Sequence, residues 1–145
     1  MRYLEQAPPP EGYANLRAAV GWDALAPEAV ETGLRNALYS VAVYDGDQLI
    51  GCGRVVGDGG LYFYLQDIIV LPEYQGRGVG HGIMKRVMGY LEENARKNAF
   101  VGLMAAVGVK DFYHRYGFRR RPDDRPGMFR IWTGSRNIDL PSQIC

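Results

Sequence analysis

Apolar and polar positions along the chain follow two periods, one helical and one extended. In "PEGYANLRAAVGW", Tyr13, Leu16 and Val20 fall on one helical face, and Gly21 supplies a stop. In "PEAVETGLRNAL", Val30, Leu34 and Leu38 recur every fourth residue behind Pro27 and Glu28, which suit a first helical turn. "MRYLEQ" reads as a short strand, cut off from the first helix by Pro8, Pro9 and Pro10, which bar regular structure. The runs "LYSVAVY", "QLIGCGRVV" and "LYFYLQDIIVL" are then separated by "DGD" (Asp45 to Asp47) and "GDGG" (Gly57 to Gly60). Asp-Gly between apolar runs predicts a hairpin with φ > 0 at both central positions, so three antiparallel strands are expected, the third ending at Pro72.

"GVGHGIMKRVMGYLEENARKN" predicts the longest helix. Met84, Val87 and Leu91 share one face with Ile83 and Met88 beside them, and Lys85, Arg86, Glu92, Glu93, Arg96 and Lys97 form the wet side. "FVGLMAAV" follows as a buried strand, "KDFYHRY" as a short helix closed by Gly117, and "MFRIW" as a last strand. The order predicts an α/β chain forming a single domain over 1–145. Its mixed central sheet would be an antiparallel meander plus one parallel pair, flanked by about four helices.

The length of 145 residues suits one domain with a real core. Hydrophobic residues are 47%, charged residues 23%, and the net charge is +1, so neither nucleic acid nor an anionic membrane is the expected partner. No apolar run approaches the ~18 residues of a membrane span, and the N-terminus lacks the apolar stretch of a secretory signal. Cys52 and Cys145 are the only cysteines and make no disulfide framework, which points to a reducing, cytoplasmic setting. Neither histidine has a metal-ligand partner at usable spacing, so no metal is expected.

Glycine is over-represented, and four of the 19 stand at alternate positions in "YQGRGVGHG" (Tyr74 to Gly82). The stretch lies between a strand and the long helix. The first turn of a helix carries free N–H groups and about half a positive charge. Glycines at 76, 78 and 80 let an anion approach that backbone, with Gln75 and Arg77 as extra donors at the rim. The Walker spacing and the dinucleotide fingerprint are both absent; what stands here is Q-x-x-G-x-G, met by Gln75, Gly78 and Gly80.

"DIIVLPEYQGRGVG" resembles the pyrophosphate motif of the GNAT superfamily of acetyl-CoA-dependent N-acetyltransferases, and "DFYHRYGF" (Asp111 to Phe118) resembles its second motif. The two lie in the family's order, one helix and one strand apart. Within the superfamily, "DGG", "LQDIIV" and "PGMF" look closest to small bacterial acetyltransferases and plant serotonin acetyltransferase-like proteins. The resemblance implies that Gln75, Gly76, Arg77, Gly78, Val79 and Gly80, with His81 close by, bind the pyrophosphate of acetyl-CoA. It implies too that backbone groups of Ile68, Ile69 and Val70 pair with the pantetheine arm, in a slot left where the strand at 100–106 splays from 61–71. The chain departs from the pattern in having Ala106, Val107 and Gly108 where many members carry an asparagine.

The reaction so implied is attack of a neutral amine on a thioester. The oxyanion needs a preorganised donor, for which the N–H of Ile69 or Val70 is the candidate, and the departing thiolate needs a proton, for which the resemblance offers Tyr113. The base stays open among Asp67, Tyr64, Gln66, Glu73 and His114. Tyr39, Tyr64 and Asp67, with Tyr13, Trp22 and Tyr62, are candidates to line a pocket for a small-molecule amine acceptor. A homodimer is compatible with this reading. Two alternatives share the same cradle: an acetyl-CoA-binding sensor without turnover, and an acetyltransferase acting on a protein N-terminus or lysine.

Overall fold

Five strands lie side by side in the order of the sequence: β1 (Arg2–Leu4), β2 (Tyr39–Asp45), β3 (Gln48–Gly57), β4 (Tyr62–Val70) and β5 (Phe100–Leu103). The first three pairings are antiparallel and β4–β5 is parallel. The computed structural model describes residues 1–133; Met1–Leu103 form one compact unit and the chain from Met104 on forms a second. Cys145 lies outside the described residues.

Two helices precede the meander, α1 (Pro10–Ala19) and α2 (Pro27–Arg35), each opened by a proline whose fixed φ suits the first turn. A parallel pair needs a crossover, and α3 (Val79–Asn94) supplies it between β4 and β5. Adjacent residues of β3 show how the layers divide. A Cβ on Gly53 would meet Ile83 of α3, whereas the Arg54 guanidinium reaches the Gly33 carbonyl of α2. Neighbours on a strand point to opposite faces, so α3 covers one face of the sheet and α2 the other. The α3 face buries Val79, Ile83, Met84, Val87 and Leu91, each contributing about 1.5–3 kcal/mol as an upper estimate.

β4 contains an irregularity absent from the sequence pattern. Arg54 pairs with Gln66, but Cys52 pairs with Ile69, so one extra residue is accommodated between. Asp67 takes it up with φ +56. Upstream of this bulge Phe63 packs edge-on against Tyr90 of α3; downstream it is Ile68 that crowds Gly53 on the α3 face. The bulge therefore exchanges the two faces of β4 partway along its length.

Other elements depart from expectation for simple reasons. In the Asp45–Asp47 turn only Gly46 has φ > 0 (+59), which matches a hairpin turn with glycine at its first central position and leaves Asp47 unstrained. β5 is short and half-exposed, with Phe100 46% exposed, because it is the edge strand among the described residues. "MFRIW" forms no strand: 128–132 have no ladder partner among the described residues, and Met128 and Trp132 are 87% and 72% exposed. In the second unit α4 (Lys110–His114) is closed by Gly117 at φ +89, as the sequence predicts.

Gly53 has no room for a side chain: a Cβ there would lie 2.6 Å from Ile83 Cγ2 and 2.9 Å from Ile68 Cδ1. Gly53→Ala is expected to destabilise the protein by about 1–3 kcal/mol, read as a lower midpoint in urea denaturation at unchanged slope.

Candidate functional site: the loop between β4 and α3

The chain leaves β4 through a single 3₁₀ turn, Pro72–Tyr74, and enters α3 after four intervening residues. The β4 end of this connection is fastened. The Leu71 N–H donates to the Ile50 carbonyl at 2.9 Å, the Gln75 side-chain amide donates to the Val70 carbonyl at 2.9 Å, and the Tyr74 hydroxyl donates to Asp45 at 2.7 Å. Arg77 lies over the Tyr74 ring, 5.1 Å from its centroid. In the rest of the connection Gly76 and Gly78 have φ +76 and +84, values that an L side chain adopts only with strain. A Cβ on either would meet nothing within 4 Å among the described residues, so the approach to these two positions is open. Gly82 stands there for another reason: its Cβ would collide with the ring of Tyr3.

Gly78 is the residue from which α3 starts, and no side chain caps the helix. The first turn holds no acidic residue, so nothing neutralises the positive end of the dipole. The N–H groups of Val79 and Gly80 head this turn, and His81 sits half-buried in it. These features fit a polyanion such as a pyrophosphate: bare backbone, open approach and positive potential.

Beside the loop runs an open strand edge. The β4–β5 pairing ends at Leu65 opposite Leu103, and among the described residues 66–70 keep only β3 as a strand partner. Of the three residues expected to present their backbone there, Ile69 does not. Its N–H faces the Cys52 thiol and its carbonyl lies against Gly51, both on β3. Val70 alternates with it; its carbonyl takes the Gln75 amide on the outer side, so its N–H points outward too. By the same alternation Ile68 faces outward. The oxyanion-donor candidate thus narrows from Ile69 or Val70 to Val70.

Asp67 occupies a different place from the one expected of it. Its carboxylate is buried, 2.7 Å from Arg54 Nε and 3.6 Å from Arg17 Nη1, and accepts from the Tyr13 hydroxyl at 2.8 Å and the Gln66 amide at 3.2 Å. Arg17 in turn donates to the Asp23 carbonyl at 2.9 Å. A carboxylate so enclosed has no free side for an acceptor amine. Burial first, then the Asp67 charge, pushes the Tyr13 hydroxyl up to about 12. Burial likewise pushes the Cys52 thiol far above its ordinary value, and its Sγ donates to the Asp67 carbonyl at 3.3 Å.

The other expected acceptor contacts do not form one group. Tyr39 stacks on Tyr90 of α3 at 5.0 Å and donates to Glu5 at 2.7 Å, so it belongs to the α3 face. Tyr64, next to Phe63 on β4, points to the opposite face with Gln66. Trp22 covers Arg17, and Tyr62 is exposed beside Phe100. Glu73 is exposed. Sequence reasoning missed Arg17 and Arg54. A signal existed: each interrupts an otherwise apolar or glycine-rich core stretch, and a buried arginine requires a carboxylate.

In the second unit Tyr113 is buried on α4, its ring edge-on to Phe112 and Phe118 at 5.1 and 6.3 Å. Burial alone raises its hydroxyl to about 12, so it remains a protonated donor throughout the neutral range. His114 lies 3.4 Å from Asp111 one turn away, an exposed pair.

A strand–loop–helix cradle beside an open strand edge is the arrangement that the sequence resemblance implies, and similarity to known proteins agrees. Residues 8–127 match the Acetyltransferase (GNAT) domain family, and the chain belongs to that family. It is similar to serotonin N-acetyltransferase 2, chloroplastic, of Oryza sativa subsp. japonica, with 30% identity over 81% of this chain and 66% of the relative. It is also similar to an N-acetyltransferase of Prochlorococcus marinus, with 32% identity over 74% and 61%. The chain thus spans about two-thirds or less of these relatives. Among solved structures, a "Probable Acetyltransferase" of Staphylococcus aureus superposes with TM-score 0.86 at 38% identity, covering 90% of this chain and 98% of that one. A GNAT family acetyltransferase of Streptococcus pneumoniae superposes with TM-score 0.75 at 33% identity, covering 91% and 98%. An aminoglycoside 6'-N-acetyltransferase complexed with coenzyme A, at 17% identity and TM-score 0.56, shares the fold alone. Among the described residues no helix is long and apolar enough to cross a membrane.

Tyr113 provides a pH test. An unfolded tyrosine ionises near 10 and this one near 12, so the unfolded state alone loses its proton between those values. Stability is therefore whole below pH 10 and falls as pH rises through the window, by on the order of 2 kcal/mol from this residue. Urea denaturation across that range should show a shallower fall for Tyr113→Phe than for the native chain.

Proposed function

We propose that the protein is an acetyl-CoA-dependent N-acetyltransferase that moves an acetyl group to a primary amine of a small molecule by direct attack on the thioester. The observation that carries this reading is the open, uncapped start of α3, reached through two left-handed glycines, beside a strand edge with no second partner among the described residues. The Val79 and Gly80 N–H groups, with Gln75 and Arg77 at the rim, hold the pyrophosphate, and the outward backbone of Ile68 and Val70 takes the amides of the pantetheine arm. Acetyl-CoA supplies the activated acyl group.

The reaction has three needs, and this chain's residues meet the last two. An alkylamine is mostly protonated at pH 7, at a cost of about 4–5 kcal/mol in free base, so its proton must be removed before attack. The outward Val70 N–H serves the oxygen that gains charge. Tyr113 donates to the departing sulfur. With its hydroxyl raised to about 12 it acts as a hydrogen-bond donor, since full transfer to a thiolate near 8.5 is uphill. Asp67 is enclosed by its own partners and does not serve as the base. The Oryza sativa relative is named for serotonin, so arylalkylamines head the acceptors to try; a soybean relative named a histone acetyltransferase places a lysine peptide beside them.

Thiol release from acetyl-CoA should be followed against a panel of small primary amines and a lysine peptide, with coenzyme A binding measured by calorimetry. Release with a small amine is expected. Tyr113→Phe should lower turnover by about 100-fold or more while the dissociation constant for coenzyme A holds within about twofold. Gly78→Val should weaken binding at least tenfold, since its side chain fills the open approach. Binding without release on any amine would favour a sensor, and release on the peptide alone would move the acceptor to proteins.

A further inference from the structure

Asp67 combines three features that a mere core ion pair does not need. It is the only non-glycine residue with positive φ within a strand among the described residues. It sits at the register shift that exchanges the faces of β4. Its carboxylate is gripped from α1 by Arg17 and Tyr13, and from β3 by Arg54, which is itself held by the Gly33 carbonyl of α2. The side chains of Asp67, Arg17 and Arg54 are only 1%, 6% and 18% exposed.

The geometry points to Asp67 as a positioning residue for acetyl transfer. Its clamped carboxylate holds the left-handed turn that directs the Ile68 and Val70 backbone to the open edge of β4. The steps are short. A regular strand would keep the β3 register and would place Ile68 on the face opposite α3. One left-handed residue shifts the register once, sends Ile69 back to Cys52, and leaves Ile68 and Val70 outward. Such a residue is held only when its surroundings over-determine it. Two guanidiniums, a phenol and an amide on one carboxylate do so. The helix layer opposite α3 takes part through both α1 and α2, so the turn is set by elements remote in sequence.

This inference rests on the outward edge at 68–70 being the cofactor edge, as proposed above, and the test separates the two. Asp67→Asn keeps the side-chain shape and tolerates φ > 0 but removes the charge that both arginines meet. Leu34→Ala, a buried residue of α2 outside β4 and its carboxylate clamp, serves as a control that loses stability. Both full-length variants are assayed at a temperature where circular dichroism shows them folded. Asp67→Asn should lower turnover with the best amine about 100-fold and weaken coenzyme A about tenfold, and should shift the amide resonances of Ile68 and Val70. Leu34→Ala should lower the melting temperature and leave all three unchanged. Equal behaviour of the two variants, or unmoved amides in Asp67→Asn, would overturn the assignment. If the native chain binds no coenzyme A, the cofactor edge fails, while the amide shifts still judge the positioning. Should Asp67→Asn not fold, Tyr13→Phe and Arg54→Lys loosen the clamp from α1 and from β3, and each must move the same amides for the assignment to stand.

Discussion

Asp67 meets α1, β3 and its own strand at one buried carboxylate, and the relation of the helices to the sheet depends on that meeting. Arg17 brings in α1 and, through the Asp23 carbonyl, the turn that follows it. Arg54 brings in α2 through Gly33. Removing charges from water costs several kcal/mol per ion, and their attraction offsets this only with good geometry and full hydrogen bonding. Hydrogen bonding is complete, since no buried side-chain nitrogen or oxygen lacks a partner among the described residues, but Arg17 stands off at 3.6 Å. The cluster is therefore better understood as a device of shape than as a source of stability.

The second constraint is backbone geometry at the start of α3. The left-handed Gly76 and Gly78 turn the chain sharply and leave the helix uncapped, while the Gln75, Tyr74 and Leu71 hydrogen bonds keep that turn in place. A helix end normally finds a capping oxygen. A bare, open end leaves its positive potential unneutralised. The bulge and the loop act on neighbouring stretches of one strand–helix connection. The first directs the outward backbone of β4, and the second prepares the end of α3.

Much of the fold was legible. The helical period placed α1, α2 and α3, the Asp-Gly separators placed the meander, and the crossover implied the one parallel pair. The glycine-rich cradle was legible as well, since alternating glycines at a strand-to-helix junction have few other uses. The aromatic acceptor group was not. Tyr39 and Tyr64 look alike in sequence, yet one stacks on α3 and the other points to the opposite face. "MFRIW" has the composition of a strand, but a strand exists only where another backbone offers hydrogen bonds.

What the sequence by itself determined is local: the order of the elements, the glycines that allow a left-handed turn, and the apolar stripe of α3. These follow from φ preferences and side-chain periods that each residue carries wherever it stands. What only the tertiary structure decided is the bulge at Asp67 and all that follows from it: which residues of β4 face outward, why Ile69 is withdrawn, and why the carboxylate serves Arg17 and Arg54. A one-residue change of register leaves no mark in the alternation of polar and apolar residues. It is set by charges that lie tens of positions apart in the chain and meet only when the helices close on the sheet.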